Sequence, residues 1–309
     1  MDITRLRGLG IAVATPFMAA SNPTESGACP VDMPAFRALI GRLVAAKTDF
    51  LVVLGSTGEA ATITDDERDA IVRAAVEEAR GVPVIVGTGH NSTAKAVELS
   101  ARAARCGAAG VLVVTPYYNK PQSAGLEAHF RKVAEAVPGL PIIAYNVPGR
   151  TGLNMLPKDL ARLWAIPGVV AVKESSGNLG QIGEIIRTLP EGKLLFAGDD
   201  SLALPAIALG AAGLISVIGN ILPAQTKALV EAALAGKRDE ARSLHAALLP
   251  MMDALFLESN PAPVKAALAI AGQCSPELRL PLVEASESTK ARLTELLANY
   301  GIKNRAAAR

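Results

Sequence analysis

Three cysteines in 309 residues, Cys29, Cys106 and Cys274, are odd in number and far apart, so they predict neither a disulfide framework nor, without a CxxC pair, a zinc site. Histidine is as scarce: His90, His129 and His245 are scattered, and no metal is expected. Each cysteine reads as a small buried filler and each histidine as a surface or helix-face imidazole. No basic tract interleaves with aromatics and the net charge of +2 is nearly neutral, so nucleic acid is not expected as a partner. Apolar runs are short and broken by Gly, Pro or charge, and none approaches the ~20 residues of a membrane span. The start, Met1-Asp2-Ile3-Thr4-Arg5, lacks a secretory apolar segment, and a cytoplasmic protein is the expectation.

What the chain does have is apolar residues, at 50% of the total, enough to bury a large core. Short β-branched runs alternate with longer Ala-rich amphipathic stretches, the pattern of a parallel sheet covered by helices. The runs are Gly10 to Thr15, Phe50 to Leu54, Pro83 to Gly87, Val111 to Thr115, Pro141 to Tyr145, Val169 to Lys173, Leu194 to Gly198 and Gly213 to Val217. Eight such units predict an α/β fold of the closed (β/α)8 TIM-barrel type. Ser21 to Pro30 reads as a Pro/Ser/Gly loop before a helix from Met33 to Ala46. Thr64 and Glu67 have capping-box spacing, Ser92 precedes a helix pattern, and Pro157, Pro205 and Pro223 suit first helical turns. After the eighth run the pattern is helical only: Ala224 to Ala235, Arg238 to Leu257, Pro261 to Ala271 and Ser286 to Tyr300, with a frayed end from Asn304. The expected organisation is a catalytic barrel over residues 1–235 and a C-terminal helical region over 236–309.

Reacting groups in such barrels come from the C-terminal ends of strands and the loops after them. There the sequence puts Gly55-Ser56-Thr57-Gly58-Glu59, Thr115-Pro116-Tyr117-Tyr118-Asn119, Tyr145 to Arg150, Lys173, Gly198-Asp199-Asp200 and Ile215-Ser216. Lys173 stands where an apolar strand gives way to Glu174-Ser175-Ser176-Gly177-Asn178. Burial disfavours a charged ammonium, and the neutral amine is a nucleophile able to form a Schiff base. Imine chemistry needs proton transfer, which Tyr145 on the neighbouring strand and the Ser56 hydroxyl can supply without a histidine. The Ser56-Thr57 turn offers hydroxyls and backbone N–H groups to a small carboxylate, and Arg150 offers a bidentate site to a second one. Asp199-Asp200 reads as a turn and helix start rather than an acid/base dyad.

GSTGEAAT, TPYYNKP, YNVPGRTG, VKESSGNL, AGDDS and GLISV, followed by NPAPVK and LRLPL, resemble in that order the dihydrodipicolinate synthase and N-acetylneuraminate lyase family of class I aldolases. The likeness runs from about residue 8 through residue 282. It implies that Lys173 forms an imine with pyruvate and that Tyr145 is the general acid/base. Ser56 then relays protons to Tyr118, which in this family reaches into an adjacent subunit. Thr57 holds the pyruvate carboxylate, Arg150 receives the carboxylate of aspartate semialdehyde, and Gly198 and Ile215 line the pocket. No cofactor is implied, and the expected assembly is a homotetramer built as a dimer of dimers.

Two departures matter. The synthase branch usually has Thr where this chain has Ser56, whereas Gly-Ser-Thr-Gly-Glu also occurs in the neuraminate lyase branch. The hydroxyl is kept, and TPYYN with the intact NVPGRTG points to the synthase branch, which joins pyruvate to L-aspartate 4-semialdehyde. Relatives inhibited by lysine carry His and Glu around a dimer-interface cleft. Here Ala60 to Arg68 has no histidine, and Lys95 stands where an acid is expected, although Asn91 and Tyr117 remain. Weak or absent inhibition is therefore expected. The rival readings are a sister aldolase acting on a 2-keto-3-deoxy sugar acid or a neuraminate, and a non-catalytic sensor barrel.

Overall fold

Eight parallel strands hydrogen-bond in chain order and close on themselves, the first pairing with the eighth. They are β1 (Gly8–Ala12), β2 (Phe50–Val53), β3 (Val84–Gly87), β4 (Gly110–Val114), β5 (Ile142–Asn146), β6 (Val169–Glu174), β7 (Leu194–Ala197) and β8 (Gly213–Ser216). The structure, a computed structural model, describes residues 6–19 and 29–304. All but the last two residues of the loop expected at Ser21 to Pro30 therefore lie outside the described residues, as does all of the end beyond Asn304.

Because the side-chain period of a strand is two, each strand divides its residues between two cores. Phe50, Val52, Ile85, Leu112, Ile143, Ala171, Phe196 and Ile215 fill the barrel interior. Leu51, Val53, Val86, Val113, Ala144, Val172 and Leu195 face the helices. Inside, the rings of Phe50 and Phe196 pack edge to face, 5.3 Å apart. Gly10 makes room for them, since a Cβ there would lie 2.2 Å from the Phe50 ring.

The outer layer is α1 (Met33–Ala45), α2 (Asp65–Glu78), α3 (Thr93–Arg105), α4 (Ser123–Ala136), the one-turn α5 (Pro148–Thr151), α6 (Pro157–Leu163), α7 (Leu179–Arg187), α8 (Ala203–Leu209) and α9 (Pro223–Leu234). The capping box at Thr64 forms, with Glu67 returning a 2.9 Å bond to the Thr64 backbone N–H. Pro157 and Pro223 are first helical residues, but Pro205 is the third residue of α8. Ser92 makes no side-chain cap; its own N–H is instead bound by His90 Nδ1 at 2.9 Å.

The first strand starts and ends earlier than the apolar run Gly10 to Thr15 predicts. Beyond Ala12 the chain finds other partners: Ala14 N donates to Asn220 Oδ1 at 3.1 Å, and Thr15 Oγ1 donates to Gly58 O at 2.8 Å. The C-terminal helices are α10 (Arg238–Ala254), α11 (Ala262–Ile270) and α12 (Glu287–Asn299). Among the described residues no helix is long and apolar enough to cross a membrane.

Candidate active site

In the β5–β6 ladder Tyr145 is paired in register with Lys173, and Asn146 with Glu174. Alternation sends the first pair into the barrel and the second toward the helices. Lys173 is 4% exposed, and its Nζ lies 4.5 Å from the centroid of the Tyr145 ring. On the far side of the lysine, Gly198 leaves space that no other residue could: a Cβ would sit 2.9 Å from Lys173 Cε and 1.8 Å from Ser175 Oγ. Ile215 closes the interior wall and is fully buried.

Thr57 lies buried in the turn after β2, and Asn260 Nδ2 donates to its Oγ1 at 2.9 Å. The same asparagine's carbonyl accepts from Arg150 Nη2 at 2.8 Å, so the exposed arginine of α5 is tied to the same residue as Thr57. Ser56 is half-buried beside Thr57. Tyr118 is not gathered with them within the single chain: it is 89% exposed, in a left-handed conformation at φ 72°, and its hydroxyl bonds to none of the described residues.

Several polar groups behind the site have no obvious mark in the sequence. Glu174, 1% exposed, accepts from Asn146 Nδ2 at 3.0 Å and from Ser176 N at 2.8 Å. Burial raises its carboxyl above the usual range, against the pull of those bonds. Asp200 does open a short 3-10 helix, as its position in a helix-start pair predicts. Its buried carboxylate also accepts from Ser216 Oγ at 2.6 Å and from the N–H groups of Val217 and Ile218, both at 3.0 Å. Burial raises the Asp199 carboxyl as well, and the charge of Lys173 opposes that shift.

The carboxylate of Glu59, at the end of the Ser56-Thr57 turn, is held among the described residues by the C-terminal region alone. Lys265 Nζ of α11 lies 2.8 Å from its Oε1, and Arg279 N donates to its Oε2 at 3.1 Å. Lys265 also faces the Phe17 ring, 4.0 Å from the centroid. The periodicity of strands and helices does not reveal such pairs, because their members are about 200 residues apart; NPAPVK and LRLPL were the only signal for them. Among the described residues no group of three or more His, Cys, Asp or Glu side chains could hold a metal ion.

This constellation is an amine, a phenol, hydroxyls and an arginine at one barrel mouth. A model of the dihydrodipicolinate synthetase family matches residues 6–300. The chain belongs to this family. Its relatives include the 4-hydroxy-tetrahydrodipicolinate synthases of Syntrophus aciditrophicus (strain SB), 44% identical over 96% of this chain and 99% of that one, and of Geotalea uraniireducens (strain Rf4), 45% identical over the same shares. A crystal structure of dihydrodipicolinate synthase from Aquifex aeolicus superposes with a TM-score of 0.91 at 42% identity, over 97% of this chain and 100% of that one. As in other members of the dihydrodipicolinate synthetase family with solved structures, the fold here is a closed barrel with helices after its last strand.

Proposed function

We propose that this chain catalyses the 4-hydroxy-tetrahydrodipicolinate synthase reaction, joining pyruvate, held as an imine on Lys173, to L-aspartate 4-semialdehyde. The observation that carries the reading is the buried Lys173 amine facing the Tyr145 ring from the paired position on the next strand.

Lys173 Nζ attacks the keto carbon of pyruvate, and the carbinolamine loses water to give the imine. Tyr145 donates the proton that leaves with the water and then takes a proton from the methyl group, giving an enamine. The enamine carbon attacks the aldehyde carbon of the second substrate. The amino group of that substrate then displaces Lys173 from the imine carbon, which closes the ring and frees the enzyme. Ser56 and Tyr118 pass protons between Tyr145 and solvent. Thr57 holds the pyruvate carboxylate, Arg150 holds the carboxylate of the aldehyde, and Gly198 and Ile215 line the pocket.

Residues 1–235 are the catalytic barrel, and 236–309 are the helical region that braces it. The working form is a homotetramer built as a dimer of dimers and located in the cytoplasm. The exposure of Tyr118 supports a shared site in which this phenol completes the relay of an adjoining subunit.

Incubation with pyruvate followed by borohydride reduction should leave a stable adduct on the Lys173 peptide, read by mass. Lys173→Arg should give neither adduct nor turnover, because the guanidinium keeps the charge and lacks the nucleophile. Absence of an adduct on Lys173 rejects the imine mechanism. Activity confined to cleavage of a sugar acid, with none on pyruvate plus aspartate semialdehyde, rejects the substrate assignment.

A further inference from the structure

Asn260 connects the two ends of the site, and its side chain and backbone do so separately. Its carbonyl oxygen accepts from Arg150, whereas its Nδ2 donates to Thr57 Oγ1. Both side chains are buried, Asn260 at 4% exposure and Thr57 at 2%, and Asn260 Oδ1 has no hydrogen-bond partner among the described residues. A threonine hydroxyl has one hydrogen to give and two lone pairs to receive with. When Nδ2 occupies a lone pair, the hydrogen is left to point elsewhere, and donation into the hydroxyl strengthens it as a donor in turn.

We infer that Asn260 is a positioning residue that sets the polarity of the Thr57 hydroxyl, turning its O–H toward the carboxylate of bound pyruvate. This rests on the reading of Thr57 as the pyruvate-carboxylate seat. The side chain acts on the pyruvate seat alone, while the backbone carbonyl serves Arg150, so substitution of the side chain separates the two.

Asn260→Asp tests the polarity with little change in size. An aspartate side chain can only accept, so it reverses the bond and draws the Thr57 hydrogen away from the ligand, where its own charge also opposes a carboxylate. The readout is the pyruvate concentration that half-saturates the initial rate of adduct formation on Lys173, trapped with cyanoborohydride and followed by mass. Loss of a single neutral hydrogen bond predicts a rise of roughly three- to tenfold in Asn260→Ala and a larger one in Asn260→Asp. In a Thr57→Val background, Asn260→Ala should add no further rise, because Asn260 acts through the hydroxyl that valine lacks. A merely structural role would shift both backgrounds alike.

Asn260→Asp with wild-type half-saturation would show that Thr57 donates to residue 260, and overturns the inference while leaving the imine reading intact. An equal shift of Asn260→Ala with and without Thr57 does the same. Unchanged half-saturation in Thr57→Val removes the carboxylate seat on which the inference stands. A wild type that forms no adduct defeats the functional reading itself.

Discussion

A methyl group on Gly198 would lie 1.8 Å from Ser175 Oγ and 2.9 Å from Lys173 Cε, distances at which something must move. Gly198→Ala should therefore displace the amine, and misplacement by about an ångström costs on the order of 100-fold in rate. Steady-state kinetics would show this as a fall in kcat. His129 belongs to stability rather than chemistry. It is 3% exposed on α4, with Nδ1 3.0 Å from Thr93 Oγ1, and burial lowers its pKa to about 4. The folded state thus binds a proton less readily than the unfolded chain, whose imidazole titrates near 6.5. Its contribution is fully present above pH 6.5 and is lost as pH falls toward 4, a change of about 3 kcal/mol. Urea unfolding across that window should show a shallower loss in His129→Gln. At this scale the sequence places Lys173 and Tyr145 well, because a strand end is a local feature. It does not reveal the burial of His129, which depends on how α4 packs against the start of α3.

Among the elements, the turn after β2 depends most on distant chain. Among the described residues the Glu59 carboxylate has no partner nearby in sequence; Lys265 and Arg279, about 200 residues later, fill both its oxygens. Burial lowers the pKa of Lys265, and the Glu59 carboxylate beside it pulls the other way. Lys265→Met would strand a buried carboxylate, and such losses cost about 3–5 kcal/mol. Chemical denaturation should show that drop, and adding Glu59→Gln to the same chain should restore much of it, since the stranded charge is then gone. The strands themselves were legible because β-branched runs bounded by Gly and Pro need only local pattern. Their ends were less so. β1 gives way after Ala12: Val13 N still donates to Val52 O of β2, but Asn220, far along the chain, captures the following N–H, that of Ala14. Asn146 and Glu174 extend β5 and β6 by one residue beyond the apolar runs, since their polar side chains find each other across the ladder.

For the molecule as a whole, the surface near α3 bears on regulation. Lys95 Nζ lies 2.9 Å from Asp65 and 3.1 Å from Glu98, so both carboxylates beside it are already paired. Neither is free to receive the ammonium group of a lysine ligand, and no histidine stands in Ala60 to Arg68. The rate with saturating substrates should fall by less than half at sub-millimolar lysine, and a steady-state titration showing half-inhibition in that range would contradict this. By itself the sequence determined the number and order of βα units, the helical C-terminal region, and Lys173 and Tyr145 as neighbours at strand ends, because period and punctuation are local properties of a chain. Only the tertiary structure decided that Asn260 joins Thr57 to Arg150, that Lys265 and Arg279 hold Glu59, and that Tyr118 is left exposed on the surface of its own chain. Those outcomes depend on which polar groups meet once water is excluded, and barrel closure brings together residues that no sequence spacing relates.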